Sequence, residues 1–364
     1  EEGDTFICGF CFTHRDYIHI IGGYNFKDLM KRKYEPASKD LLIGHHIALQ
    51  YNHGKLTHEI QDLPYSRIFG GTCAFSDISE TAFLFGGIHE RVGRRSDLNS
   101  FYVSNILVTH RFTDKMSPTR TFLMPMSVSH PKCRVFHCSS YDYDRNSIWI
   151  YGGGKIDDDD DKLCVLNDLW QYQIATQLWI SRPIRYRQIS SKIGRSMAYF
   201  NNKLYVLGGN EKNTTKIHWL DLTDLDNLIW QAIDIPQSCR PKGMGCSLQI
   251  VHHPTLGPKI LIIGGSQDDI YTTMALSLFI QVEPSPTGLL PLQIISFDPL
   301  RNLFEKVHVP QTIPNVSFHG TALKDNYLFL VGGLNHSKTE RSYNHSVIVL
   351  DIFYFLDKTY TSFY

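Results

Sequence analysis

Three kinds of residue in this sequence stand at spacings that suit chemistry: a cysteine step, two histidine pairs and several clusters of Lys and Arg. Cys8-Gly9-Phe10-Cys11 has the step of a redox couple or of half a zinc site. No second pair completes the four ligands of a structural zinc. Residues three apart on a strand face opposite sides, so both thiols are expected to be packed strand cysteines. His45-His46 and His252-His253 are adjacent, also face opposite ways on strands, and read as structural or exposed histidines. There is no G-x-S-x-G elbow, no H-E-x-x-H helix and no phosphate-binding glycine loop. Asp, Glu and His are plentiful, yet none forms a spaced set for acid–base work. No catalytic residue, metal ligand or cofactor is expected.

The basic clusters are Lys31-Arg32-Lys33, then Arg91, Arg94 and Arg95, then Arg182, Arg185, Arg187, Lys192 and Arg195. Residues 91–134 hold eight basic and two acidic side chains, a surplus of six. The whole chain balances 36 Lys and Arg against 36 Asp and Glu, so charge acts here in patches. Phosphate contacts need little beyond such Lys and Arg groups. Solvated surface loops are the plainer reading of any single cluster. The run Asp157 to Asp161 interrupts the basic sector. It reads as a solvated loop, or as a group that binds a basic partner or turns nucleic acid away.

The 364 residues are 42% hydrophobic and 20% charged, which is enough for a large core and excludes a disordered chain. No apolar stretch approaches the ~18–20 residues of a membrane span. No signal peptide is legible, and the sequence opens at Glu1 rather than Met. The eight cysteines show no repeating framework, which favours free thiols in a reducing compartment. The sequons at Asn213, Asn315, Asn335 and Asn344 are about the number chance supplies.

The elements that must position these groups come from a repeat. Six times an apolar run ends in a glycine pair: Tyr17 to Ile21, Thr81 to Phe85, Ser147 to Tyr151, Lys203 to Leu207, Lys259 to Ile263 and Tyr327 to Val331. The first glycines lie 64, 66, 56, 56 and 68 residues apart. A strand precedes each pair, as in Gly194-Arg195-Ser196-Met197-Ala198-Tyr199. A third follows, as in Asn167-Asp168-Leu169-Trp170-Gln171-Tyr172, and a fourth carries an aromatic, Trp179 or Trp230. Four short strands in each of six units predict an all-β, six-bladed antiparallel propeller spanning 1–364 as one domain. The blades are expected at about 5–63, 64–128, 129–190, 191–236, 237–313 and 314–364, with residues 6–12 and 347–364 closing the ring. With strands a to d counted outward, the b–c and d–a connections share one face. That face should carry the basic clusters of blades 1 to 3.

At these residues the chain resembles the kelch repeat family along its whole length. Blades 3 and 4 match well, whereas blades 1, 5 and 6 keep the glycine pair and lack the outer tryptophan. Within that family, blades 1 and 2 resemble the second, non-catalytic subunit of the V(D)J recombination-activating complex and its transposon-encoded relatives. The likeness rests on Met30-Lys31-Arg32, Asn52-His53-Gly54-Lys55-Leu56, Leu63-Pro64 with Arg67 and Thr72-Cys73-Ala74-Phe75, and Tyr102-Val103 to Ile106.

The resemblance implies a nuclear subunit without an active site of its own. It would dock on a catalytic partner of the DDE transposase type and aid the binding and cleavage of double-stranded DNA at recombination signals or inverted repeats. DNA contacts would fall on Lys31, Arg32, Lys33, Arg67, Arg91, Arg94, Arg95, Arg111 and Lys115, and partner contacts on Arg182, Arg185 and Arg187. The sequence stops after blade 6 without an acidic hinge or a Cys/His-rich finger, so the transposon-encoded form is the nearer analogue and histone reading is not expected. The alternative is a generic kelch protein-interaction module, such as a ubiquitin-ligase adaptor or scaffold. A copper-radical oxidase on this fold would need a Tyr and His ligand set, and none assembles.

Overall fold

Each apolar run ahead of a glycine pair is the second strand of an antiparallel sheet, and six such sheets ring a common axis. A computed structural model describes residues 6–7, 9–25, 45–63, 68–90, 101–103, 105–112, 120–124, 129–156, 163–185, 189, 193–209, 214–266, 290–336, 341–343 and 346–361. Blade 1 runs outward as Phe10–His14, Tyr17–Ile21, His45–Asn52 and Lys55–Asp62. Blade 2 is Thr72–Ser76, Thr81–Phe85, Leu107–Arg111 and Arg120–Met124. Blade 3 is Cys138–Asp142, Ser147–Tyr151, Leu169–Gln173 and Leu178–Arg182. Blade 4 is Arg195–Phe200, Lys203–Gly208, Lys216–Asp221 and Gln231–Asp234. Blade 5 is Ser247–His253, Gly257–Ile263, Ile294–Asp298 and Leu303–Val307.

Blade 6 departs from this plan. Among the described residues its sheet has three strands, Gly320–Lys324, Tyr327–Val331 and Val347–Asp351, and a helix, α1 (Ile352–Thr361), follows at once. The Asp351 carboxylate accepts a bond from the Tyr354 N–H at 3.1 Å, which caps the first turn. Ile352 and Leu356, four apart on one helix face, are both buried at the junction of blades 5 and 6. Burial of that pair outweighs the strand preference of the sequence Ile352-Phe353-Tyr354-Phe355.

Side chains of the middle strands alternate between the two neighbouring blades, and both faces are apolar. The core is accordingly divided into six clusters, one at each junction, including one that joins Ile18, Ile20, Ile47 and Leu49 of blade 1 to Ala322, Phe329 and Val331 of blade 6. Each inner strand touches the inner strands of both neighbouring blades, the first and sixth included. Among the described residues the ring therefore closes by packing side by side, not within a shared sheet. Phe6–Ile7 pairs instead with Tyr24–Asn25.

The glycine pairs have a steric cause. Gly86 has φ +66°, and a Cβ there would stand 2.8 Å from the Arg134 carbonyl oxygen and 2.9 Å from the His137 ring. Gly54, in a hairpin turn with φ +81°, has nothing within 4 Å of such an atom. Gly54→Ala is expected to cost about 1 kcal/mol, the backbone penalty alone. Gly86→Ala should cost about 2–4 kcal/mol, because the next blade must also shift. Urea midpoints compare the two, and equal losses would show that close approach between blades is not what the pair serves.

Candidate functional site

One face of the ring is built by a second layer of short strands. On it the d–a linkers that lead into blades 2, 3, 5 and 6 meet b–c connections. Ile68–Phe69 pairs with Ile88–Glu90, which pairs in turn with Phe101–Val103. In blade 3, Val135 bridges Gly154, and Gly154–Ile156 pairs with Leu163–Val165. Val316–Ser317, Leu334–His336 and Arg341–Tyr343 repeat the arrangement in blade 6. Blade 1 has the pairing of Phe6–Ile7 with Tyr24–Asn25. The arms of blades 2 and 3 bracket residues 91–100 and 157–162, and the blade 1 pairing directly precedes residues 26–44; the three segments hold Arg91, Arg94 and Arg95, then the five aspartates, and Lys31, Arg32 and Lys33. All of these charged residues lie outside the described residues, as do Arg67, Lys115, Arg187 and Lys192.

The remaining predicted basic residues are not brought together. Arg111 is exposed at the far end of its strand, opposite Thr81 and Arg120, and so stands on the other face from the hairpin arms. Arg182 is half-buried and gives Nε and Nη2 to Gln171 Oε1 at 3.0 and 2.7 Å. Arg185 is exposed, and its N–H bonds the Leu228 carbonyl at 2.8 Å. Arg195, counted with the surface cluster, is buried at the start of its inner strand and lines the axis. Arg134, counted in the basic surplus, is wholly buried in a two-bonded ion pair with Asp168, at 2.8 Å for each bond. Asp168 also accepts from Trp170 Nε1 at 2.7 Å. Burial raises the Asp168 carboxyl, but the bonds from Arg134 and Trp170 outweigh it and hold the carboxyl below its ordinary value.

The axis opens on the same face as a cavity of about 250 Å³ lined by the starts of all six inner strands. Its rim is a chain of backbone bonds: Phe136 N–H to Gly70 O at 2.6 Å, Gly194 N–H to Phe136 O at 2.9 Å and Phe318 N–H to Gly245 O at 2.9 Å. All five residues have positive φ, including the two phenylalanines at 53° and 56°. His137 Nε2 shares a hydrogen with Thr72 Oγ1 at 2.8 Å, and His319 Nε2 does so with Ser247 Oγ at 3.1 Å. The Phe-His step thus recurs three blades apart, a pseudo-twofold feature around the channel. The signal is present in the sequence, where Phe136-His137 and Phe318-His319 each directly precede an inner strand.

Beside the Arg195 cation, the His137 imidazole and the thiols lining the channel are held uncharged. Burial, with the nearby Arg134 cation, keeps His137 well below its ordinary pKa. Burial pushes the Cys11, Cys138 and Cys246 thiols up to about 12. Thiols so placed do not ionise near neutrality and are poor nucleophiles. Among the described residues no group of three or more His, Cys, Asp or Glu is placed to hold a metal ion. Cys8 lies outside the described residues. Of the sequons, Asn315 is buried with both ends engaged, Nδ2 to Gly265 O at 2.8 Å and Oδ1 to Gln293 N–H at 3.3 Å, which leaves no room for a glycan.

A second cluster lies between blades 1 and 2. His19 Nδ1 and His46 Nε2 are 2.8 Å apart, and His14 and His110 lie on the same junction with Phe12, Phe75 and Phe112. In the strand register, the five other blades fill the His19 position with Phe83, Trp149, Tyr205, Leu261 and Phe329. They fill the His46 position with Leu107, Leu169, Ile217, Ile294 and Val347. His46 is therefore buried, as is His253, whereas His252 is exposed beside Phe200.

No helix among the described residues is long and apolar enough to cross a membrane. In comparisons with known proteins, no curated protein matches the chain. The solved structure described as "Structure of YjhT" is similar in fold, with a TM-score of 0.59 at 15% identity over 96% of this chain and 99% of that one. The family model described as the KLHDC2/KLHL20/DRC7 Kelch-repeats domain matches residues 70–333. With the six sheets, the repeated glycine pairs and a match over most of its length, this chain belongs to the kelch-repeat family of that type.

Proposed function

We propose that this kelch propeller is the non-catalytic subunit of a DNA recombinase or transposase, docked on a DDE-type catalytic partner in the nucleus. The observation that carries the reading lies on one face of blades 1 and 2: Phe6–Ile7 pairs with Tyr24–Asn25 just ahead of the segment holding Lys31 to Lys33, and a hairpin base brackets the segment holding Arg91 to Arg95. The residues of blades 1 and 2 that resemble the recombination-activating subunit support it. They include the exposed turn at Asn52 to Lys55 and the inner strand Thr72–Ser76. Neutral thiols and the neutral His137 imidazole in the channel suit a chain that leaves the chemistry to its partner. On this reading Arg185, exposed on the linker after blade 3, contacts the partner with Arg182 and Arg187.

The test is to purify the tagged protein from nuclear extract, treat it with nuclease and identify what stays bound by mass spectrometry. A large transposase-like protein is the expected result. In the reconstituted complex, replacing Lys31, Arg32 and Lys33 by glutamine should weaken DNA binding at least about tenfold and lower the salt slope by roughly 3. Unchanged binding and cleavage would remove the basic face from the account. A second reading is a kelch module for a protein ligand, such as a ligase adaptor or scaffold. It is favoured by the family match over residues 70–333. Recovery of ligase components or cytoskeletal proteins, with no transposase, would select it.

A further inference from the structure

Among the described residues, blade 6 is one strand short. The five other blades each carry a fourth strand outside the third. After Val347–Asp351 the chain turns instead into α1, which packs on the outer strand of blade 5 and on the second strand of blade 6. Among the described residues, no strand pairs with the outer edge of Val347–Asp351. The side chains record the gap. Val347, Ile348 and Val349 are only partly buried, whereas all five residues of Ile294–Asp298, the matching strand of blade 5, are buried. An edge of β-branched residues with free alternate N–H and C=O groups is a template for another strand.

The end of that edge is acidic. Asp325, Asn326, Asp351, Phe353, Tyr354 and Asp357 line a cavity of about 680 Å³ there. Lys324 is shared between Asp16 at 3.2 Å and Asp325 at 3.9 Å, and Lys358 lies over the Tyr354 ring at 4.4 Å. Asp357 meets His253 at 3.4 Å. Carboxylates thus outnumber the lysines where a fourth, antiparallel strand would begin.

We propose that blade 6 is completed by an extended segment of a partner protein, which pairs antiparallel with Val347–Asp351. Its alternate residues are apolar, and Lys or Arg at its N-terminal end lie against Asp351 and Asp325. Backbone pairing supplies the affinity of such strand addition, and the basic end sets direction and register. The inference does not depend on the recombinase reading, since either kind of partner can supply the strand. The acidic residues Glu1, Glu2 and Asp4 of this chain do not complement that groove.

The test uses the full chain and a synthetic peptide of sequence Lys-Arg-Thr-Val-Thr-Val-Thr-Val, followed by amide hydrogen exchange. At roughly 1 mM peptide, alternate amides within Val347–Asp351 should exchange about tenfold more slowly, with no change in the outer strands of blades 1 to 5. The same peptide with Glu-Glu at its N-terminus should give no protection. Asp325→Asn, which keeps a residue type suited to the positive φ of that exposed turn, should weaken the basic peptide about threefold. Equal protection by both peptides, or none by either, would overturn the proposal. Protection of those amides in the protein alone would overturn it too, by showing that this chain fills the edge itself. None of these outcomes bears on whether a transposase is the partner.

Discussion

Asp168→Ala is expected to lower the unfolding free energy by about 3–5 kcal/mol, the cost of leaving a buried cation unpaired. The Arg134 side chain is 0% exposed, and besides Asp168 its partners among the described residues are the carbonyls of Gly152 and Lys132, at 3.0 and 3.1 Å. The loss reaches beyond the pair. The Arg134 carbonyl accepts the Gly87 N–H at 2.8 Å, and the two residues that follow Val135 are the Phe136 and His137 of the channel rim. Removing both charges tests the cause. Arg134→Met with Asp168→Leu should recover most of the stability, since an apolar pair of similar volume carries no desolvation cost. Urea unfolding of the wild type, the single variant and the double variant reads the difference. A loss below about 1 kcal/mol for Asp168→Ala would mean that water reaches the guanidinium and that the pair behaves as a surface bridge.

The repeat made the propeller legible because its period is carried by backbone requirements. A glycine pair behind a β-branched run is needed wherever the Arg134 carbonyl or the His137 ring of the next blade approaches as closely as it does at Gly86. What the sequence hid depends on partners far away along the chain. Arg134 and Arg195 counted as surface charge, and a window count has no access to Asp168, 34 residues on, or to burial at the axis. The helix of blade 6 was equally hidden, because Ile352-Phe353-Tyr354-Phe355 favours a strand locally and the buried contacts of Ile352 and Leu356 with blade 5 decide otherwise. The basic clusters of blades 1 and 2 stand in loops by sequence, and the structure supplies hairpin arms on either side of the blade 2 cluster and a short strand pairing ahead of the blade 1 cluster. The histidines between blades 1 and 2 were visible as well. His19 and His46 break an apolar pattern that five other blades keep, and only the alignment of all six exposes the exception.

That exception implies an acid-labile junction. Burial lowers the pKa of His19 to about 3, with the charges of His46 and His14 adding to the effect. Burial lowers His46 to about 4, reinforced by His110, and lowers His110 to about 4. His14 is lowered chiefly by burial and then by Arg15, while Glu80 and Asp77 oppose the shift. In the unfolded chain each imidazole has its ordinary value near 6.5. Because the folded values are depressed, the stability these groups permit is complete above about pH 6.5 and drains away as the pH falls towards 4. At pH 5, some 1.5 units below the unfolded value, each of the three most buried histidines costs about 2 kcal/mol relative to neutral pH, or about 4–6 kcal/mol together. That approaches the whole stability of an ordinary domain. The expected result is a urea midpoint that drops steeply between pH 6.5 and 5, with blade 1 and 2 amides the first to lose protection. His19→Phe with His46→Leu restores the residue types that the other blades use and should flatten the profile. A double variant as acid-sensitive as the wild type would place the titrating groups elsewhere, with His137 in the channel the next to replace.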